Sequence, residues 1–418
     1  MRVTLLVMAI DQPERTPTTI RPEVQALRAV AVAAVVLHHG WPAVAPAGYM
    51  GVDVFFVVSG YLITALLVRE IQRSGSLSLS GFYLRRARRI LPAAMTVLVA
   101  VSILTLALAP YRDWAAYFQE IVASAFYVEN WRLAIDSQHP ASADLASTPV
   151  QHFWSLSVEE QFYLVWPLLL LVGRYIARRR HGRTVPVLAV VLGVTTVASF
   201  IGSLALTAVD HNLAYFSTLG RAWEFGVGGL LALAMGRLAT RTRPTAPAPT
   251  WSRAAASWAG IALIVVPIVS FHDVEAFPGL WVLLPVTGTL AIIWAGMPAL
   301  RWSPAPLVRL RPVQWVGDVS YSLYLWHWPI FMFTPMLIGM PSPPWLMVLL
   351  VALSLVVAWA SKRWIEDPFR RRSGAVRAHP RVVLAAFAAT LVGVLATGSY
   401  APQVAAVEMQ ACRSTDRE

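Results

Sequence analysis

A chain of 418 residues that is 57% hydrophobic and only 13% charged carries more apolar surface than a water-soluble domain of that length can bury, and reads as a polytopic membrane protein. Its formal net charge of +12 comes from arginines set in short runs between apolar segments, which is a topology signal and not a nucleic-acid-binding face. The single cysteine, Cys412, excludes an internal disulfide framework and any cysteine-built metal site, and no metal is expected.

A membrane-crossing helix needs roughly 20 apolar residues. In chain order such stretches fall near 27–44, 51–68, 90–110, 155–172, 184–208, 221–236, 254–271, 280–300, 318–338, 345–361 and 381–399. The expected fold is therefore all-α, a transmembrane helical bundle of about 10–11 spans. No cleavable signal peptide is evident, because "MRVTLLVMAI" runs at once into the polar "DQPERTPTTIRPEVQ". Arginines crowd alternate linkers, around 69–89, 174–183, 237–253, 301–311 and 362–381, which assigns these to the cytoplasm. The longest opposite linker, 111–154, holds Asp113, Glu120, Glu129, Asp136 and Asp144 and is placed outside. The N-terminus then lies inside and the C-terminus outside. Three parts follow: a cytoplasmic tail over 1–20, a membrane domain over 21–372, and 373–418 with a linker, the extra span and a short outer tail. Within this frame, "WAAYFQEIVASAFYVENW" (114–131) suits an interfacial or re-entrant helix, "GFYLRRARRILP" (81–92) reads as a basic amphipathic segment with Pro92 near the first turn of the third span, and "TRTRPTAPAPT" (240–250) is a Pro-rich linker.

Ionisable groups at membrane depth normally face a polar cavity or a partner. In "LRAVAVAAVVLHHGW" (27–41), Arg28 and His39 stand about 16 Å apart along a helix. Arg28 is either a cytoplasmic anchor or the holder of an anionic group; His39 is either a satisfied buried histidine or a general base. "GYMGVDVFFVVSGYL" (48–62) adds Tyr49, Asp53, Ser59 and Gly60. Asp53 is an N-cap or a carboxylate orienting an imidazole, and Ser59-Gly60 fits small-residue helix packing better than nucleophilic catalysis. "QHFWSLSVEEQFYLVWP" (151–167) brings His152, Glu159 and Glu160, and "RAWEFGVGGL" (221–230) sets Arg221 and Glu224 at i,i+3 as an intramembrane ion pair. His327, between two tryptophans in "SYSLYLWHWPIF" (320–331), reads as structural, and Glu366 and Arg370 in "WIEDPFRRR" (364–372) stand one turn apart as a pair.

Together these blocks resemble the acyltransferase-3 family of integral-membrane O-acyltransferases. The resemblance rests on "LRAVAVAAVVLHH", with Arg28 and His39 in the family's R-x10-H pattern, then "GYMGVDVFFVVSGYLI", "FYLRRARRILPA", "HFWSLSVEEQFYLVWP", "RAWEFGVGGLLA", "SYSLYLWHWPI" and "WIEDPFR", in family order over about residues 21–372. It implies transfer of an acyl group, usually acetyl from acetyl-CoA at the cytoplasmic face of the bacterial inner membrane, to a hydroxyl of a cell-envelope carbohydrate. A small glycosylated metabolite such as a macrolide is the alternative acceptor. It also implies that His39 is the catalytic base with Arg28 as its essential partner, and that Arg85, Arg86, Arg88 and Arg89 hold the CoA phosphates. Acyl-CoA is then a donor substrate, with no permanently bound cofactor. The sequence departs from the pattern at His38, where relatives often carry Tyr or Phe.

The mechanism expected on this basis has His39, oriented by Asp53 or another carboxylate, deprotonating the acceptor hydroxyl. Tyr49, Ser59, Glu159, Glu160 and Arg221 are assigned to substrate contacts, with the two glutamates lining an outer cavity. Many relatives continue into an extracytoplasmic SGNH-type domain, so the chain is either a stand-alone form or one from which that domain is missing, the second being favoured. A transporter or flippase also places charges within spans, but the sequence shows neither inverted repeats nor paired broken helices.

Overall fold

In lipid every backbone polar group must be satisfied internally, which restricts long apolar segments to helices or closed barrels. In the computed structural model, which describes residues 21–138, 147–240 (backbone alone over 237–240), 250–370, 388, 391–393 and 396, the long apolar segments are helices, and no strand occurs among the described residues. The order begins with α1 (Pro22–Gly40), α2 (Gly51–Ser74), α3 (Leu79–Leu108), α4 (Tyr111–Ala125), α5 (Glu129–Asp136), α6 (Phe153–Arg179), α7 (Thr184–Val209) and α8 (His211–Phe216). It continues with α9 (Thr218–Thr240), α10 (Thr250–Ser270), α11 (Leu283–Ala295), α12 (Ala305–Val308), α13 (Arg311–Ile338), α14 (Pro344–Ser361) and α15 (Asp367–Arg370), a π turn (Lys362–Glu366) joining the last two. Among the described residues six segments are long and apolar enough to cross a membrane: Gly48–Ser74, α3, α6, α7, α10 and Pro344–Arg370. Helices α1, α9, α11 and α13 occupy the other predicted spans, so ten of the eleven stretches are helical. The eleventh, 381–399, lies largely outside the described residues. So do the 1–20 tail, Asp144, most of the 240–250 linker, Arg371, Arg372, Arg377, Arg381 and Cys412.

Two local readings are corrected. Pro92 is well inside α3 and not in its first turn. The helix already starts at Leu79, where the Ser78 hydroxyl accepts from the Gly81 amide at 3.2 Å, a side-chain cap that satisfies an otherwise orphaned donor. The polar 114–131 stretch is not one helix. It divides between α4 and α5, and Tyr127 at the break has φ 55, a left-handed conformation that ends regular helix.

Helix α1 is sandwiched between α2 and α13. It runs parallel to α13: Gln314 donates to the Pro22 carbonyl at 2.9 Å near one end, and His39 meets His327 near the other. The backbones approach closely at Gly317, where any Cβ would overlap the Gln25 carbonyl. Against α2 it is antiparallel, Gly51 lying over Ala31 while Arg21 reaches Tyr61. Helix α2 in turn packs on α9 through Gly60 and Gly228, each of which faces the backbone of the other helix. Small residues at such crossings let helices approach closely in lipid, where dispersion and hydrogen bonding replace hydrophobic driving force.

Candidate active site

The parallel pairing of α1 with α13 fixes two distinct ends. Arg28 lies toward the first, partly exposed, and its Nη1 donates to Gln25 at 2.9 Å. A cavity opens beside it, lined by Arg28, Arg86, Arg89, Glu159, Glu160 and Tyr163. Helix α3 delivers Arg86 and Arg89 one turn apart, and α6 delivers the glutamates. Glu159 Oε1 accepts from both the Ser59 and the Tyr163 hydroxyls, while the Arg86 guanidinium stands 4.6 Å from the Tyr163 ring centroid. Tyr321 and Tyr324 of α13 close the cavity, together with Ser155 of α6.

Toward the second end, beyond the cavity, the helices are joined by a series of packed aromatic and imidazole rings. The Tyr324 ring lies 5.5 Å from His152 and 5.6 Å from His327, and His327 stacks on His39 at 5.2 Å. His39 Nδ1 and His327 Nε2 are 3.0 Å apart, and His327 Nδ1 is 3.0 Å from the Leu323 carbonyl. His39 is partly exposed, whereas His327 has no exposed surface. Trp328 packs on the His39 ring at 4.3 Å and is itself held by donating to the Thr148 carbonyl at 2.8 Å. His38 has a separate partner, the Ala45 carbonyl at 3.0 Å, and sits edge-on to Tyr49 at 5.3 Å. The neighbouring imidazoles are thus differently committed.

The structure divides the residues singled out in the sequence into three groups. Arg28, Arg86, Arg89, Glu159 and Glu160 share the cavity, with Ser59 reaching it through Glu159. The two glutamates therefore stand with the arginines and not at the opposite, histidine end. Arg85 is exposed and pairs with Glu70 at 3.0 Å, and Arg88 is not a lining residue. Asp53 and Arg221 form the third group. Arg221 bonds Asp53 and also Glu224, the latter at 2.5 Å, with all three side chains at most 1% exposed. Phe56, Trp154, Tyr215 and Phe277 surround the guanidinium at 5.5–5.9 Å from its carbon. Asp53 is thereby committed to Arg221, and the group bonded to His39 is His327. At the end of α14, Glu366 accepts from Ser322 at 3.0 Å in place of the expected Arg370, because the π turn redirects it toward α13.

From the sequence alone His327 reads as a belt histidine. The available signal was its position in an otherwise apolar run, since a buried imidazole needs a partner; the identity of that partner, 288 residues away, was not readable locally. Outside the spans, Glu120 and Glu129 form a buried carboxyl pair on α4 and α5. Glu120 accepts from Thr148, whose carbonyl holds Trp328. Burial pushes both carboxyls above the usual range, and the charge of Glu120 pushes Glu129 further.

Comparison with known proteins yields O-acetyltransferases among the relatives. The chain is 32% identical over 356 residues to the peptidoglycan O-acetyltransferase OatA of Listeria monocytogenes serovar 1/2a, covering 84% of this chain and 56% of that protein. It is 30% identical over 366 residues to the "Putative peptidoglycan O-acetyltransferase YrhL" of Bacillus subtilis (strain 168), covering 84% and 55%. The chain thus spans about half the length of the curated relatives it matches. No solved structure matches it. The acyltransferase-3 family model, described as "Acyltransferase domain", matches residues 21–363, and with an arginine-lined cavity and a partnered histidine at the two ends of its first helix, the chain belongs to that family.

Proposed function

We propose that this protein moves an acetyl group from acetyl-CoA, bound at the cytoplasmic side, to a hydroxyl of a cell-envelope carbohydrate. Among such carbohydrates peptidoglycan is favoured, because OatA, which the chain resembles over 84% of its length, is named for that acceptor. The observation that carries the reading is the arrangement along α1. Three arginines line a cavity beside the helix, and packed aromatic and imidazole rings connect its far side to a partly exposed, hydrogen-bonded histidine. Arg28, Arg86 and Arg89 suit the phosphates and upper arm of CoA, since guanidinium groups bind phosphate through paired N–H donors. Arg28 and His39 are about 16 Å apart along the helix, a gap that an extended pantetheine arm suits.

With the thioester near His39, His39 takes the proton of the acceptor hydroxyl as its oxygen attacks the carbonyl carbon. The C–S bond then breaks, and the imidazolium returns the proton to the departing thiolate. No net proton is taken up. The test is acetyl transfer from labelled acetyl-CoA to peptidoglycan fragments by reconstituted protein. His39→Ala should lower the rate at least 100-fold, within the range of roughly 10²–10⁴ for general-base catalysis, whereas His38→Ala should keep it within a few-fold. Undiminished transfer by His39→Ala would remove the general-base assignment.

A further inference from the structure

We infer that His327 is a positioning residue that sets the tautomer of His39, leaving His39 Nε2 as the basic nitrogen. The inference rests on the acetyl-transfer reading above. It follows from donor and acceptor accounting along one chain of contacts. The Leu323 carbonyl can only accept, so the 3.0 Å contact from His327 Nδ1 requires the hydrogen on Nδ1. Neutral His327 then has a lone pair on Nε2. The 3.0 Å contact with His39 Nδ1 is satisfied only if His39 donates, and the remaining nitrogen of His39, Nε2, is left with its lone pair free to accept a proton.

The opposite arrangement would need a positively charged His327. That residue is fully buried among Tyr324, His152 and Phe331, and no described carboxylate touches it. An imidazolium there would be a desolvated, unpaired charge. Leu323 and His327 are one turn apart on α13, so the helix itself fixes the ring that fixes His39. Trp328, next in the chain, packs on the ring of His39 at 4.3 Å and restricts its rotation. The same contact serves the second half of the reaction. Once His39 Nε2 has taken the proton, the Nδ1–H donates to His327 Nε2 more strongly, and the charge is delocalised without a buried carboxylate. His327 thus occupies the place that an acidic residue takes in a Ser-His-Asp triad, with a neutral group.

The experiment compares His327→Phe with His327→Gln in reconstituted protein. Glutamine can reproduce both contacts, its amide nitrogen donating to Leu323 and its oxygen accepting from His39, and phenylalanine neither. His327→Phe should lower kcat about 100-fold with KM for acetyl-CoA changed less than 3-fold, and His327→Gln should recover at least 10-fold of that loss, by comparison with the roughly 10²–10⁴-fold range of general-base effects. Adding His327→Phe to His39→Ala should cost nothing further, because the two act as one unit. Nitrogen NMR of ring-labelled histidine in membranes reads the tautomer directly: the His39 signal should report Nδ1–H in the wild type and lose that preference in His327→Phe. Wild-type kcat in His327→Phe, additive losses in the double variant, or an Nε2–H signal for His39 in the wild type would each overturn the inference while leaving the acetyl-transfer reading intact. If His327→Phe does not fold, the wild-type NMR signal and the Gln variant still decide it. Full activity in His39→Ala, or no transfer by the wild type, overturns the parent reading and this inference with it.

Discussion

Two clusters of arginine and carboxylate lie within the bundle, and they differ in whether they are closed. Around Arg221 the charges are enclosed: Asp53 and Glu224 take the guanidinium, aromatic rings cover it on several sides, and none of the three charged side chains exceeds 1% exposure. Around Arg28, Arg86 and Arg89 the guanidiniums face a cavity, and the glutamates opposite are bonded by hydroxyls. A buried ion pair closed off by packing holds helices in register, whereas charges left open to a cavity are available to a ligand. Charge at membrane depth is therefore not enough to mark a site; a cavity opening beside it is.

The sharpest way to break this contrast is Arg221→Met. Removing the cation strands two carboxylates without exposed surface, and losing one partner of a buried pair costs about 3–5 kcal/mol. Thermal unfolding in detergent should show a large drop in midpoint. Arg28→Gln should do the reverse: the midpoint stays near wild type while the acetyl-CoA concentration for half-maximal rate rises roughly 10–100-fold, as expected for loss of a hydrogen bond to a charged group worth about 1.5–3 kcal/mol. A donor dependence that does not change would place the CoA phosphates elsewhere.

The α2–α9 seam that brings Asp53 to Arg221 can be tested without touching a charge. At Gly60 and Gly228 an added methyl would overlap backbone carbonyls of Phe225 and Val57. Gly60→Ala should therefore destabilise by about 1–3 kcal/mol through overpacking, measured by the same unfolding midpoint; a shift of zero would mean the helices can separate freely. The smallest effect concerns Glu120 and Glu129, a carboxyl pair without a bonded arginine. Because both are pushed up in the folded protein, the folded state holds protons more tightly than the unfolded one. Their stabilising contribution is present below the ordinary carboxyl value of 4.5 and is lost as pH rises through the raised folded values. Glu129→Gln should flatten that decline, with a midpoint near neutral pH raised by roughly 2–4 °C. An unaltered pH dependence would show that the pair does not titrate in this window.

Most of the helical architecture was legible in the sequence because hydropathy over about 20 residues reports a single, strong physical requirement. The boundaries of α3 and the division of α4 from α5 were not, since they depend on one serine cap and one left-handed residue. At the site, Arg28 and the Arg86 and Arg89 pair were visible as basic groups at span ends, and the i,i+3 spacing of Arg221 and Glu224 predicted their contact. What escaped was partner choice across the bundle. Asp53 lies close in sequence to His39 yet answers to a cation on α9, and His39 answers to an imidazole on α13. Such pairings are set by which helices touch, and hydropathy carries no information about that.

The separation of His39 from His327 by 288 residues also bears on how the protein is made. A ribosome releases the first helix long before the helix carrying its partner has been synthesised and inserted. Through most of translation the nascent chain holds His39 without the Leu323-bound imidazole beside it. Assembly of the pair thus waits on membrane insertion of α13, and a chain arrested before that helix keeps His39 without its hydrogen-bonding partner.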